Sequence, residues 1–225
     1  MTNRKEAVAI LLLVLLCCAG MALVDGVLKP GYWGKSAIKA VLFLLCPLLY
    51  SLKSRAFGPR SLFLTDRRSF LSALLLGGAV YGVILAAFFL LRGVFDFSGI
   101  TTALTGDVGV SRQNFVTVAV YIALVNSLLE EFFFRGFAFL TLKKVSSRRL
   151  AYCFSAACFA AYHITMMIGW FSVGICLLAL VGLAAGAVIF NFLDEKGGSL
   201  YPSWIVHIFA NLSINTVGLI LFGIL

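Results

Sequence analysis

Two adjacent glutamates, Glu130 and Glu131, stand in a stretch of sequence that is otherwise strongly apolar. A charge inside a bilayer costs at least about 2.5 kcal/mol, so an ionisable residue in such a stretch is by default a functional candidate. On a helix, Glu131 and Arg135 are spaced i and i+4, so they share a face and can neutralise each other. Glu130 points about 100° away from Glu131 and keeps no partner on that helix. Glu130 is therefore a candidate base, whereas the alternative is a structural ion cluster of all three residues at the membrane edge.

The two histidines of the chain also lie in apolar stretches. His163 follows Phe159 by four residues, and His207 precedes Asn211 by four, so each pair shares a helix face. Peptide hydrolysis needs a base for the attacking water and hydrogen-bond donors for the oxyanion. Glu130 can supply the base, with His163 sharing the water, and His207 with Asn211 can supply two donors to one oxygen. Each histidine could instead only form a hydrogen bond between helices.

The composition indicates what kind of elements must position these residues. The 225 residues are 62% hydrophobic and 12% charged, with a mean hydropathy of +1.05. A membrane-spanning helix needs about 20 predominantly apolar residues. Stretches of this kind occupy about 7–24, 36–52, 70–91, 115–140, 150–170, 171–192 and 204–225. The sequence therefore predicts an all-α, polytopic transmembrane helical bundle with about seven spans, within a range of six to eight.

The basic residues predict the orientation of the bundle, because Lys and Arg of short loops stay on the cytoplasmic side. Twelve of the 18 fall on one predicted face: Arg4, Lys5, Lys53, Arg55, Arg60, Arg67, Arg68, Lys143, Lys144, Arg148, Arg149 and Lys196. The opposite loops are assigned Lys29, Lys35, Lys39, Arg92 and Arg112. We therefore expect an integral membrane protein with a cytoplasmic N-terminus. The net charge of +9 indicates attraction to anionic lipid of the bilayer, not to nucleic acid.

Three further features carry structural expectations. The pairs Gly78/Gly82 and Gly182/Gly186 have the spacing of small residues that let membrane helices approach closely. Residues 92–114 are polar enough to form a connecting loop on the outer face. The six cysteines lie in apolar spans without the paired spacing of a metal site, so we expect no disulfides.

Taken together, Glu130-Glu131-x-x-x-Arg135, Phe159-x-x-x-His163 and His207-x-x-x-Asn211 resemble a known motif set. It is that of the CAAX protease and bacteriocin-processing (Abi) family of glutamic-type intramembrane endopeptidases. The resemblance covers about residues 115–215 and implies that Glu130 and His163 activate water, while His207 and Asn211 stabilise the oxyanion. Glu131 and Arg135 would hold the glutamate in position. It says little about residues 1–114.

The resemblance also implies an organisation and a substrate class. We expect one membrane domain over residues 1–225, with N-terminal helices in 1–114 that carry no recognised motif and a motif-bearing catalytic core in 115–215. The implied partner is a membrane-associated protein or peptide, a class that includes lipidated chains and C-terminal anchors. No cofactor is expected. The short chain resembles a stand-alone prokaryotic member, so we expect a plasma-membrane location.

Three alternatives stay open at this point. A zinc-dependent membrane protease is one, because two histidines and a glutamate can bind zinc with water in the fourth position, although the sequence has no His-Glu-x-x-His helix. A non-catalytic binding or immunity protein of the same fold is the second. A transporter is the third, since intramembrane Glu and His also build proton relays.

Overall fold

The computed structural model describes residues 3–54, 56–63, 67–106, 108–167 and 172–225. Within these ranges, seven helices are long and apolar enough to cross a membrane: Arg4–Leu28 (α1), Gly31–Ser51 (α2), Arg67–Leu91 (α3), Phe115–Val145 (α5), Arg148–Met167 (α6), Val173–Gly197 (α7) and Tyr201–Leu221 (α8). A short helix, Ser98–Gly106 (α4), lies between α3 and α5. The described ranges contain no strand. The predicted all-α bundle of about seven spans is confirmed. The predicted junction at 170–171 and residue Arg55 lie outside the described residues.

Several spans contain turns of π-helix, in which the backbone hydrogen bond reaches one residue further than in an α-helix. Two of them, Ile122–Asn126 and Phe132–Thr141, lie on either side of the short α-helical segment Ser127–Glu131 in α5. A third, Val41–Leu45, lies in the middle of α2. Each wider turn changes which side chains share a face, so the simple 3.6-residue period does not run unbroken through α5 or α2.

Aromatic side chains fill the main core, which α1, α2, α5 and α6 build together. Phe43 of α2 stacks on Phe133 of α5 with ring centroids 4.1 Å apart, and both rings are fully buried. Ile10 and Met21 bring α1 into the same cluster. Lipid is as apolar as these side chains, so close packing rather than escape from water holds the helices together. The aromatic run of α5 thereby fixes the helix that carries both glutamates.

Close helix contacts occur at glycines other than the predicted ones. A Cβ at Gly78, Gly82, Gly182 or Gly186 would meet no atom of a neighbouring helix within 4 Å among the described residues, so the prediction that these pairs mediate packing within the bundle is wrong. One close approach is at Gly77, where a Cβ would lie 2.5 Å from a ring carbon of Phe209 on α8, and another is at Gly218 of α8, where a Cβ would overlap the ring of Phe115 on α5. One residue turns a helix face by about 100°, so Gly77 faces α8 and Gly78 does not.

The neighbouring glycines offer a matched pair of substitutions. Gly77→Ala is expected to lower the free energy of unfolding by about 1–3 kcal/mol, because the new methyl group overpacks the contact with Phe209. Gly78→Ala is expected to leave it unchanged or raise it by up to about 1 kcal/mol, since alanine favours the helix. Thermal unfolding of both variants in lipid nanodiscs measures the difference. Equal changes for the two would contradict the packing described here.

The segment between α3 and α5 differs in part from the predicted loop. It contains α4, and after this helix the backbone N–H of Val110 donates to the carbonyl of Leu104 at 2.8 Å. The carbonyl of Val108 accepts from the N–H of Tyr32 at 3.1 Å, at the start of α2. This connection ties the segment to the end of the bundle where α2 begins. The six cysteines are free thiols.

Candidate active site

The two carboxylate oxygens of Glu130, on α5, have different neighbours. Oε1 accepts hydrogen bonds from Lys39 Nζ at 2.5 Å and from Asn126 Nδ2 at 3.1 Å. Oε2 lies 3.7 Å from His207 Nε2 and 4.0 Å from His163 Nε2. Glu130 is 2% exposed. Side chains from α2, α5, α6 and α8 therefore meet at one buried carboxylate.

The sequence predicts that Lys35 and Lys39 lie in an outer loop, and both assignments are wrong because both residues lie in α2. Lys39 is 3% exposed. Its ammonium group donates to Glu130 and also to Asn126 Oδ1 at 2.6 Å. A buried ammonium is tolerated when a carboxylate faces it and its hydrogen bonds are made. The predicted span 36–52 already contained Lys39, so the criterion that selected the glutamates would also have selected this lysine.

Both histidines turn the same ring nitrogen toward Glu130. His163 Nδ1 lies 2.7 Å from the carbonyl oxygen of Phe159, and His207 Nδ1 lies 2.7 Å from Glu131 Oε1. A carbonyl or a carboxylate oxygen can only accept, so each Nδ1 carries the hydrogen. In the neutral ring this leaves Nε2 with its lone pair. The spacing Phe159-x-x-x-His163 thus has a physical role, since the carbonyl one turn earlier fixes the orientation of the imidazole.

Glu131 connects His207 to Arg135. Its Oε2 lies 3.3 Å from Arg135 Nε, and both side chains are fully buried. The guanidinium lies between two aromatic rings, 4.1 Å from the centroid of Phe159 and 5.0 Å from that of Phe190. Cation–π attraction and the ion pair together hold this charge within the bundle. Glu131 therefore orients a histidine as well as pairing with the arginine.

Asn211 lies one turn after His207 on α8. Its Nδ2 donates to the backbone carbonyl of Ile122 at 3.2 Å, and Asn215 Nδ2 donates to that of Ala119 at 2.9 Å. These bonds join α8 to α5 just before the glutamates. The structure therefore brings Glu130, His163 and His207 together at one oxygen atom, and it places Asn211 against the backbone of α5. An amide nitrogen carries two hydrogens, so one of those of Asn211 is left for another acceptor.

Sequence reasoning also missed Asp194, a fully buried carboxylate near the end of α7. Its oxygens accept from the backbone N–H of Ser203 at 3.1 Å and from Ser203 Oγ at 2.7 Å. Ser203 lies in the first turn of α8, where backbone N–H groups have no partner within the helix and a negative charge is favourable. Asp194 thereby fixes the start of the helix that carries His207. The predicted sixth span ends at residue 192, so Asp194 was not counted among the polar residues within spans.

A family comparison addresses the part of the chain that holds these residues. Residues 112–213 match the family model described as Rce1-like, type II CAAX prenyl endopeptidase. This segment is a domain of the CAAX protease family. The predicted family is therefore confirmed. No curated protein and no solved structure gives a significant match.

The Rce1-like domain contains all six residues that the sequence singled out: Glu130, Glu131, Arg135, His163, His207 and Asn211. It begins shortly before α5 and ends within α8, so α1, α2 and α3 lie outside it. Lys39 is thus a contact that the N-terminal helices contribute to the domain. With seven candidate spans and this domain, the chain is an integral membrane protein that contains an Rce1-like domain.

Proposed function

We propose that the protein is an intramembrane endopeptidase that cuts a peptide bond in a membrane-associated protein or peptide by means of a water molecule activated by Glu130. The observation that carries this proposal is the position of Glu130 Oε2, which faces Nε2 of His163 and of His207 in a buried site. An acceptor carboxylate beside two oriented imidazoles is an arrangement for moving protons, and the Rce1-like domain supports its use in peptide hydrolysis.

In the proposed reaction, the water donates one hydrogen to Glu130 Oε2 and the other to His163 Nε2. Its oxygen bonds to the carbonyl carbon of the substrate while Glu130 takes the proton, and the carbonyl oxygen becomes the oxyanion. When the tetrahedral intermediate collapses, the C–N bond breaks. His163 Nε2 takes from Glu130 the proton that came from the water and passes it to the leaving amine, so both side chains return to their starting states. The products are a carboxyl terminus and an amine terminus, so atoms and charges balance. No acyl-enzyme forms in this scheme.

The contact with Glu131 supports a donor role for His207. Glu131 Oε1 lies 2.7 Å from His207 Nδ1, and a carboxylate in this position stabilises positive charge that develops on the ring during the reaction. With a hydrogen on Nε2, the ring would donate to the oxyanion together with the second N–H of Asn211.

We propose that no metal ion takes part. In support, one oxygen of Glu130 is already bound to the ammonium of Lys39, which supplies the positive charge beside this carboxylate. Within the described ranges, no group of three or more His, Cys, Asp or Glu has a metal-binding arrangement. The rival is a zinc enzyme that uses the same glutamate and histidines.

Metal removal separates the two. After purification and dialysis against a strong chelator, the protein in lipid nanodiscs is expected to keep its rate of peptide cleavage within about twofold, because every group of the proposed reaction belongs to the chain. Elemental analysis of the same sample gives its zinc content. About one tightly bound zinc per chain, with loss of cleavage on its removal and recovery on its return, would favour the metalloprotease instead.

The finer features of substrate and location are proposals of the same kind. We propose a plasma-membrane protein of a prokaryote with its N-terminus in the cytoplasm. The location of Lys39 within α2 supports that orientation. It leaves fewer basic residues in the outer loops and so increases the excess of basic residues on the cytoplasmic face. The substrate class comprises membrane-associated proteins or peptides, including lipidated chains and C-terminal anchors.

A further inference from the structure

We propose that Lys39 is a positioning residue of the active site, which fixes the Glu130 carboxylate so that Oε2 faces the two histidines. The inference rests on the proposed function, because it concerns the same glutamate. Lys39 belongs to none of the motifs described above and lies outside the segment matched by the family model. It follows from contacts between α2 and α5 alone.

The ammonium of Lys39 is held from several sides. It donates to Glu130 Oε1 at 2.5 Å and to Asn126 Oδ1 at 2.6 Å. The ring centroids of Tyr162 and Phe43 lie 5.0 and 5.6 Å from Nζ. With the side chain 3% exposed, the ammonium has little freedom to move away from these partners. Lys39 therefore holds the side chains that it binds, those of Glu130 and Asn126, in a fixed position.

Two donors on one oxygen determine where the other oxygen points. Lys39 and Asn126 both donate to Glu130 Oε1. A carboxylate is planar, so fixing Oε1 against two donors also sets the direction of Oε2. That oxygen then faces the imidazoles at 3.7 and 4.0 Å. Without the lysine, Glu130 would be a buried carboxylate with only one neutral donor, and its second oxygen would lose its fixed direction.

The contact between Lys39 and Glu130 depends on how α2 packs against α5 and α6. Four residues after Lys39, Phe43 stacks on Phe133 of α5 at 4.1 Å. Phe43 also packs edge-on against Tyr162 of α6 at 5.3 Å. These rings hold α2 in register with α5 and α6. The N-terminal helices therefore complete a site whose motif residues all lie on later helices.

The test compares Lys39→Met with Lys35→Met. Methionine keeps the length of an unbranched stem and removes the ammonium. Lys35 lies one turn earlier on the same helix and forms its ion pair with Asp25 instead of Glu130. In nanodiscs, Lys39→Met is expected to lower kcat for peptide cleavage by about 100-fold, the scale of a misplaced catalytic group, with KM within about threefold. Lys35→Met is expected to change both constants by less than about threefold. A thermal melt of each variant reports whether it is folded.

Asn126→Leu keeps the proposal testable if Lys39→Met does not fold. This variant retains the ion pair but removes the second donor to Oε1, and kcat is expected to fall about tenfold with KM unchanged. A folded Lys39→Met with kcat near that of the wild type would overturn the assignment of Lys39, as would an unchanged kcat in Asn126→Leu when Lys39→Met is unfolded. No cleavage by the wild type would instead contradict the proposed function itself.

Discussion

Replacing Glu130 with glutamine is expected to lower kcat for peptide cleavage by about 10³-fold, a typical contribution of a general base. Glutamine has the size of glutamate, and its amide oxygen can still accept from Lys39 and Asn126. It cannot take a proton from water, so the base is lost, together with the negative charge that faces Lys39. Steady-state cleavage by the purified variant in nanodiscs measures the effect, and KM is expected to stay within about threefold.

Glu195→Gln is the matched control for this substitution. Glu195 is near the end of α7 and makes ion pairs with Arg148 at 2.6 Å and with Lys143 at 3.1 Å, away from the site. Its replacement is expected to leave kcat within about twofold, because surface ion pairs contribute little. A loss of less than about tenfold in Glu130→Gln would contradict a role of this carboxylate as the base.

Arg135→Met is expected to have the largest effect on stability, lowering the free energy of unfolding by about 3–5 kcal/mol. Removing the guanidinium leaves the buried carboxylate of Glu131 without its cationic partner, and it also removes the contacts with the rings of Phe159 and Phe190. Denaturation of the purified protein in mixed micelles or nanodiscs gives the free energy.

Two further variants show whether the ion pair is the cause. Lys143→Met removes one partner of a partly exposed pair with Glu195, so it is expected to cost about 1 kcal/mol or less. Combining Arg135→Met with Glu131→Leu removes both charges of the buried pair, and the double variant is expected to be more stable than Arg135→Met alone. If Arg135→Met is as stable as the wild type, the buried ion pair of Glu131 and Arg135 contributes nothing to the free energy of unfolding.

The spans and the motif residues on them followed from the sequence because both depend on local patterns. An apolar run of about 20 residues identifies a spanning helix wherever it packs. The i,i+4 spacing of Glu131 and Arg135 predicts a shared face without knowledge of any other helix. Two histidines and two glutamates were selected because charge and polarity are rare within such runs.

Contacts between helices did not follow, because they depend on how each helix is rotated. The partner of Glu130 is Lys39, 91 positions earlier in the chain, and no local pattern relates the two. The π-helical turns on either side of Glu130 shift the phase of α5, so a projection with 3.6 residues per turn misplaces its neighbours. For the same reason the small-residue spacing selected Gly78, although of these two neighbours it is Gly77 that faces another helix.

The most direct measurement compares peptide termini in the membrane of the source organism, with the wild type or Glu130→Gln expressed at matched abundance. Mass spectrometry of new termini is expected to find a small set of membrane-associated proteins that are cut with the wild type and intact with Glu130→Gln, while Glu195→Gln gives the wild-type pattern. This set would also identify the substrate class. Identical termini from both folded proteins would contradict the endopeptidase proposal and favour a binding or transport role for the same bundle.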